Sequence, residues 1–358
     1  MSTIVPIGPY HPALEEPCRI DLTCEGETVR DAAIILKFNF RGVEGLAERK
    51  NFTQAVALIE RICGICSNVH AMTFCRALEN LAGVNIPERA RYIRVVIAEL
   101  ERVTSHLLWT GLAAEVMGFQ TLFMSCFALR ERAMDLLEGI SGNRVNYGMN
   151  CIGGVTRDIA DPGGVQGEIR KLKEETAKKI APVFLSDRTV RARCAGIGIL
   201  PGEKARTWGA VGPTARASGV PQDVRKAAPY DAYDRIDFRI PVETAGDVNA
   251  RVVVRLLELM ETYGILDQAL EKMPPGPVRG ADFVEIPAGE TTARSEAPRG
   301  ECFYYVAAGG TDSPLRVKIR TPSFVNMPLV REMVLGADLA DVPLINASID
   351  PCYSCTCR

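Results

Sequence analysis

The sequence lacks the features that mark nucleic-acid-binding, secreted or membrane-spanning chains. Its formal net charge is −2 at pH 7, so it has no basic excess that would attract nucleic acid. Its first residues lack a charged segment followed by an apolar one, so we expect no signal peptide. The most apolar long stretch, residues 110–129, is interrupted by Glu115 and Gln120 and is typical of a buried helix rather than of a membrane span.

The chain of 358 residues also lacks internal repeats, low-complexity segments and an evident linker. Hydrophobic residues make up 47% and charged residues 24%, which is ordinary for a soluble globular protein with a sizeable core. We therefore expect a single domain over residues 1–358, in which an N-terminal β segment, residues 1–50, packs on a helical core.

Hydrophobic periodicity predicts an α+β fold that is mainly α, with a central helical bundle and small β elements near both ends. The segments with helical spacing are 51–82, 87–107 and beyond, 120–137, 165–181, 242–264 and 325–336. The predicted late strands are 283–286, 303–306 and 315–319. Residues 195–235, which contain many Gly, Pro and Ala residues, resist assignment.

Two short cysteine pairs bracket almost the whole chain. The first is Cys63 and Cys66, and the second is Cys352 and Cys355. A C-x-x-C pair can place two thiolates on one metal ion, so the two pairs together offer four sulfur ligands. Twelve cysteines without a secretion signal indicate a reducing compartment, where metal binding or catalysis is a better interpretation than disulfides.

A structural zinc site is the default interpretation of two such pairs. Three features count against it here. The first pair lies in a segment with helical, apolar character, nearly the whole chain separates the two pairs, and the flanking residues include Arg61, His70 and Asp350. Soft or borderline metals other than zinc also bind four thiolates, so the cysteine pairs alone do not identify the metal.

The R-I-C-G-I-C-x-x-x-H and D-P-C-x-x-C elements, in this order at opposite ends of one chain, resemble the large subunit of nickel–iron hydrogenases. Further segments look like the energy-converting, membrane-bound hydrogenases (Ech-type, group 4), which are related to the 49 kDa quinone-site subunit of respiratory complex I. Those segments are residues 8–12, 41–44, 99–106, 233–238 and 296–301.

The resemblance implies that all four motif cysteines bind nickel. Cys63 and Cys352 would be terminal nickel ligands, whereas Cys66 and Cys355 would bridge nickel to an iron that carries carbon monoxide and two cyanides. The complex I relatives lack this cysteine set and hold no such metal. Retention of all four cysteines therefore favours a hydrogenase over a metal-free quinone module.

The resemblance also assigns residues around the metals. Arg299 matches an arginine over the open metal position that can hydrogen-bond a cyanide, and Ser323 matches a hydroxyl that donates to the other cyanide. His70 resembles a histidine that hydrogen-bonds near a bridging sulfur. A carboxylate for proton exit matches Glu16, with Glu15 as the alternative.

Glu44 occupies the position of a magnesium ligand whose partner in many hydrogenases is a C-terminal histidine. This chain has Arg358 instead, and a cation cannot ligate a cation. We therefore doubt a magnesium site and expect the Arg358 guanidinium to take its place and pair with Glu44.

No third cysteine group has the spacing of an iron–sulfur cluster, so electrons must leave through another chain. The resemblance implies a hydrogenase small subunit with a [4Fe–4S] cluster, a further ferredoxin-like iron–sulfur subunit, integral membrane subunits that move ions, and ferredoxin. The chain would be peripheral on the cytoplasmic face of the cell membrane. The expected activity is reversible dihydrogen oxidation; a metal-free interaction subunit and a structural zinc protein are the alternatives.

Overall fold

The computed structural model describes all residues except 1, 13, 15 and 281–283. Helices account for most of the regular structure, and the strands form small antiparallel sheets. The α-helices are α1 (Val43–Ala47), α2 (Phe52–Glu60), α3 (Ser67–Ala82), α4 (Glu88–Val116), α5 (Gln120–Ser141), α6 (Pro162–Glu175), α7 (Ala181–Ser186), α8 (Arg188–Cys194), α9 (Gly202–Thr207), α10 (Gly212–Arg216), α11 (Val224–Ala227), α12 (Val248–Lys272), α13 (Pro322–Asn326), α14 (Leu329–Val334), α15 (Val342–Ser348) and α16 (Tyr353–Thr356). The strands are β1 (Ser2–Ile7), β2 (Arg19–Glu25), β3 (Thr28–Ile35), β4 (Asn150–Cys151), β5 (Gly154–Val155), β6 (Gly289–Ala297), β7 (Gly300–Ala308) and β8 (Pro314–Arg320).

The core is built around the long helix α4, which packs against both α5 and α12. Pro87 precedes α4, and the residues of this helix from Tyr92 to Leu107 are buried on every side. A helix that is buried all round belongs to the centre of a large domain rather than to its surface. Asp247 caps α12 by accepting the backbone N–H of Ala250 at 2.7 Å.

Two three-stranded antiparallel sheets flank the helical core, with strand orders β1-β2-β3 and β6-β7-β8. The first sheet buries Ile20, Leu22 and Cys24 at alternate positions of β2, and β3 packs against α14. The second sheet packs on α3, which lies against both β6 and β7. The predicted mainly helical α+β class, with small β elements near both ends, is therefore confirmed.

The helix predicted over residues 51–82 is interrupted, so the expectation that the first cysteine pair lies inside a helical segment is wrong. The pair lies in the loop between α2 and α3. The backbone N–H groups of Ile65 and Cys66 are turned toward the sulfur of Cys63, at 3.2 and 3.3 Å. Those donors are withdrawn from helical hydrogen bonding, and the sulfur is held at the start of α3.

Other boundaries also differ from the predicted ones. Pro328 divides the expected helix 325–336, since α13 ends at Asn326 and α14 begins at Leu329. The expected strand 283–286 is not a strand at residues 284–286, and Phe283 lies outside the described residues. The first strand of the second sheet is instead β6, whose polar and small residues carry little strand signal. Residues 195–235 contain the short helices α9, α10 and α11.

Candidate metal centre

The last residues of the chain fold back onto the loop that precedes α3. The indole N–H of Trp109, in the central helix, donates to the carbonyl of Ala347 at 2.8 Å, just before the second motif. The Arg41 guanidinium then joins the two motifs directly. It donates to the carbonyl of Ile62 at 2.6 Å and to that of Ser354 at 2.8 Å.

The four motif sulfurs meet in the interior. Cys63 Sγ lies 3.5 Å from Cys352 Sγ, and Cys66 Sγ lies 3.4 Å from Cys355 Sγ, although 289 positions separate the members of each pair. Sulfurs of Cys63, Cys66 and Cys355 lie within 4.8 Å of one another. Each of the four residues is at most 2% exposed. A disulfide would require about 2.05 Å, and all twelve cysteines are free.

The charge state of the cluster shows what it requires. Hydrogen bonds with Cys352, and then with Cys355 and Cys66, hold the pKa of Cys63 well below its usual value. The pKa of Cys355 is well above its usual value, chiefly because its hydrogen bonds with Cys352 and Cys63 favour the thiol. Ionisation of one thiol therefore opposes ionisation of its neighbours. A soft cation would allow the other thiols to ionise, so the donor set fits a thiolate-bound metal.

Arg299 lies in the β6–β7 turn and is buried beside the second motif. Its Nε donates to the backbone oxygen of Asp350 at 2.8 Å, and Nη2 donates to the carboxylate at 2.6 Å. Burial opposes the charge, but Asp350 and then Cys352 and Cys63 raise the pKa of Arg299 well above its usual value. Close backbone packing fixes the turn, since a Cβ on Gly212 would lie 2.2 Å from the Arg299 carbonyl oxygen.

Ser323 lies at the start of α13 and contacts the second motif. Its Oγ accepts the backbone N–H of Cys352 at 3.0 Å. Nearby, the hydroxyl of Thr321 donates to the carbonyl of Cys355 at 3.2 Å. The segment before α13 therefore holds the backbone of both C-terminal cysteines.

His70 lies on α3, one turn after Cys66. Its Nε2 is 3.4 Å from Cys355 Sγ, and its Nδ1 is 2.6 Å from the hydroxyl of Tyr304. Burial lowers the pKa of His70 to about 4, so the ring is neutral at physiological pH. A neutral imidazole beside the sulfur can donate one hydrogen bond without adding a charge.

Glu16 is half-buried and contacts Ser354, one of the two residues between the C-terminal cysteines. One carboxylate oxygen accepts the N–H of Ser354 at 2.8 Å, and the other lies 3.4 Å from its hydroxyl. Glu16 therefore packs on the second motif, as a proton carrier would need to. Glu15, the alternative carrier, lies outside the described residues.

The predicted contact between Glu44 and Arg358 is present. Arg358 Nε donates to one Glu44 oxygen at 3.1 Å, while Lys318 Nζ lies 2.9 Å from the other. Burial favours the neutral acid, but Lys318, the N–H of Ile319 and Arg358 together lower the pKa of Glu44. Two cations and a backbone N–H surround the carboxylate, which leaves it poorly placed to bind a further cation.

Sequence reasoning assigned no role to three residues that shape the centre. Arg41 joins the two motifs, Asp350 orients Arg299, and Glu101 accepts the N–H groups of Asn68 and Val69 in the first turn of α3, at 2.7 and 3.2 Å. Arg41 and Glu101 lie within segments that carry the family resemblance, so that signal could have singled them out. Asp350 directly precedes the Pro-Cys of the second motif.

The chain matches two known families. Residues 117–284 and 280–358 match the family described as the respiratory-chain NADH dehydrogenase 49 kDa subunit, and residues 41–110 match the nickel-dependent hydrogenases. The chain is 41% identical to the carbon monoxide-induced hydrogenase of Rhodospirillum rubrum, and the match covers 100% of both chains. It is also 38% identical to a subunit of the NADH-quinone oxidoreductase of Desulforamulus reducens, over 96% of this chain and 95% of that one.

A solved structure of the membrane-bound sulfane sulfur reductase, an archaeal respiratory membrane complex, contains a chain of the same fold. The TM-score is 0.94 at 35% identity, and the match covers 100% of this chain and 98% of that one. The chain therefore belongs to the family that unites the 49 kDa subunit of the respiratory NADH dehydrogenase with the large subunits of energy-converting, membrane-bound hydrogenases. In the part of the chain that is described, no helix is both long and apolar enough to cross a membrane.

Proposed function

We propose that this chain is the catalytic subunit of a ferredoxin-linked, ion-translocating [NiFe]-hydrogenase that catalyses reversible dihydrogen oxidation and proton reduction. One observation carries the proposal: four buried, free cysteine sulfurs from two distant motifs meet at contact distances of 3.5 and 3.4 Å. Its relatives include both hydrogenases and NADH dehydrogenase subunits, and the cysteine site is the feature that favours the hydrogenase activity.

The residues present fit such a centre. Cys63, Cys66, Cys352 and Cys355 would hold the nickel and iron, with Cys66 and Cys355 serving both metals. Arg299 and Ser323 would hydrogen-bond the cyanide ligands. When bound, the centre supplies the cleavage and oxidation of dihydrogen to two protons and two electrons.

The chain's own residues would then handle the proton and exclude water. The four cysteines are almost fully buried, so bulk water does not reach the sulfurs and a proton must leave by way of side chains. Cys352 Sγ is the proposed first proton acceptor. The Glu16 carboxylate contacts Ser354, two residues further along, and is the proposed next carrier toward solvent. Arg299, held by Asp350, keeps a fixed positive charge beside the site.

The partners follow from the same proposal. Electrons would pass to a small subunit with a [4Fe–4S] cluster, then to a further iron–sulfur subunit and ferredoxin, because the chain has no third cysteine group of its own with cluster spacing. Two relatives carry names of membrane-bound complexes, which supports membrane subunits as partners. The chain would then be a peripheral subunit, and we place it on the cytoplasmic face of the cell membrane as part of the proposal.

The proposal is tested by metal analysis of the complex purified with its partner subunits. The wild-type complex is expected to contain one nickel per catalytic chain and one iron beyond the iron of its partners' iron–sulfur clusters. Cys66→Ser is expected to lack the nickel and that additional iron, because the residue would serve both metals. Cys194→Ser is the matched control, since Cys194 is equally buried but contacts Met117 instead of the motif cysteines.

Three results would contradict the proposal. Zinc in place of nickel would indicate a structural site, and iron–sulfur iron with neither nickel nor zinc would indicate a quinone-module subunit. Full nickel and the additional iron in Cys66→Ser would remove the role of that cysteine in serving both metals.

A further inference from the structure

We propose that Tyr304 is a positioning residue, which fixes the His70 ring in the tautomer that donates a hydrogen bond from Nε2 to Cys355 Sγ. The effect on the metal centre rests on the proposed function, whereas the tautomer is a property of the chain alone. The three side chains form one line of contacts: Tyr304 hydroxyl to Nδ1 at 2.6 Å, then Nε2 to sulfur at 3.4 Å.

A neutral imidazole has one nitrogen that donates and one that accepts. The hydrogen bond made by one nitrogen therefore decides what the other can do. If the Tyr304 hydroxyl donates to Nδ1, the ring proton must lie on Nε2, where it faces Cys355. The thiol of Cys302, 3.8 Å from Nδ1, is a second weak donor on the same side.

The opposite arrangement is disfavoured by burial. Were Nδ1 to carry the proton, the Tyr304 hydroxyl would accept it and its own hydrogen would need another acceptor. Tyr304 is 0% exposed, and its ring lies beside that of Phe74 at 6.3 Å between centroids. An unsatisfied hydroxyl donor in such a place costs about 1–3 kcal/mol. The Nε2 lone pair would also point at an electron-rich sulfur.

The strand that carries Tyr304 makes its position rigid. It lies on β7, the central strand of its sheet, paired with Ala293 on one side and Ile319 on the other. Residues 302, 304 and 306 are buried while 303 and 305 are less so, so Cys302 and Tyr304 share the inner face that packs on α3. Tyr305 has the same side chain on the opposite face, and it is a matched control.

The tautomer is measured on the full-length chain with ¹⁵N-labelled histidine. The chain has three histidines, so at most three imidazole pairs appear, and a His70→Gln variant assigns the one of interest. We expect the proton on Nε2 in the wild-type chain. Tyr304→Phe is expected to release the ring into a mixture of tautomers, whereas Tyr305→Phe leaves it unchanged. A wild-type proton on Nδ1 would overturn the proposal, even if Tyr304→Phe does not fold.

A second readout uses the purified complex. If the centre carries carbon monoxide and cyanide, Tyr304→Phe should shift their infrared bands. It should also lower the catalysed isotope exchange between dihydrogen and deuterated water by about tenfold. Tyr305→Phe should behave as the wild-type protein does. If a folded Tyr304→Phe protein shows the wild-type His70 tautomer and the wild-type infrared bands, the positioning role is contradicted. Absence of the bands in the wild-type protein would sink the proposed function but leave the tautomer result valid.

Discussion

Two buried polar clusters of the chain balance their charges in different ways. The first, which we call the ion-pair cluster, consists of three arginines and four carboxylates: Arg102, Arg216, Arg225, Glu99, Asp223, Glu258 and Glu296. The second consists of the four motif cysteines with Arg299, whose charge is already paired with Asp350. The ion-pair cluster brings its own counterions, whereas the cysteine cluster has one arginine, already paired with Asp350, beside four sulfurs.

The protonation of the two clusters follows from this difference. In the first, burial would raise the pKa of Glu258, but Arg216 and His106 lower it to about 2, so its charge is stable in the folded chain. Burial and then the negative charge of Asp223 raise the pKa of Glu296 to about 7, which accommodates the fourth acid among three arginines. In the second, three of the four cysteines have pKa values well above normal. The first cluster is complete, and the second is suited to receiving a metal.

The largest expected effect is loss of the fold in a variant of the ion-pair cluster, whereas a variant of the cysteine cluster should lose only its metals. Arg216→Met removes the cation that contacts both Glu258 and Glu296, and leaving such charges unpaired destabilises a protein by about 3–5 kcal/mol. We expect a strongly lowered melting temperature or no folded chain. Cys66→Ser should lose the metals and keep the fold.

The control for the ion-pair cluster is Arg30→Met, because Arg30 is exposed and pairs with Glu25 on the surface. Its free energy of unfolding should change by no more than about 0.5 kcal/mol. A folded, fully stable Arg216→Met protein would show that the ion-pair cluster does not hold the fold.

A smaller effect is expected at the edge of the cysteine cluster. Glu16→Gln keeps the shape of the side chain but cannot carry a proton. We therefore expect the catalysed isotope exchange between dihydrogen and deuterated water to fall by about ten- to a hundredfold, with metal content unchanged. Glu25→Gln, on the outside of the same N-terminal segment, is the control. Wild-type exchange in Glu16→Gln would transfer the proton role to another group, of which Glu15 is the first to examine.

The smallest effect concerns pH and the ion-pair cluster. Because the folded pKa of Glu296 lies above its ordinary value of 4.5, the folded chain binds more protons than the unfolded chain between about pH 4.5 and 7. The free energy of unfolding should therefore fall as pH rises through that range. Glu296→Gln should flatten this dependence, by about 1 kcal/mol or more across the range. The same slope in the variant and the wild-type chain would contradict the assignment.

The broad fold could be predicted from hydrophobic periodicity. The meeting of the chain's two ends could also be predicted, because four cysteine ligands of one site must lie close together. The contact of Glu44 with Arg358 was predictable from the family resemblance, because Arg358 stands where the resemblance implies a metal ligand. None of these predictions requires knowledge of packing.

Details that depend on tertiary contacts could not be predicted in this way. The loop that carries Cys63 interrupts a continuous helical pattern, because the sulfur itself takes two backbone N–H groups. Arg41 contacts carbonyl groups from both ends of the chain, which no local pattern reveals. Tyr304 has the pattern of an ordinary strand residue, and only the packing of β7 on α3 brings it to His70.

The most direct test of the central claim is an infrared spectrum of the complex purified with its partner subunits. We expect bands from one carbon monoxide and two cyanide ligands, lost in Cys66→Ser and retained in Cys194→Ser. A wild-type complex without these bands, or one that holds zinc between the four sulfurs, would contradict the central claim.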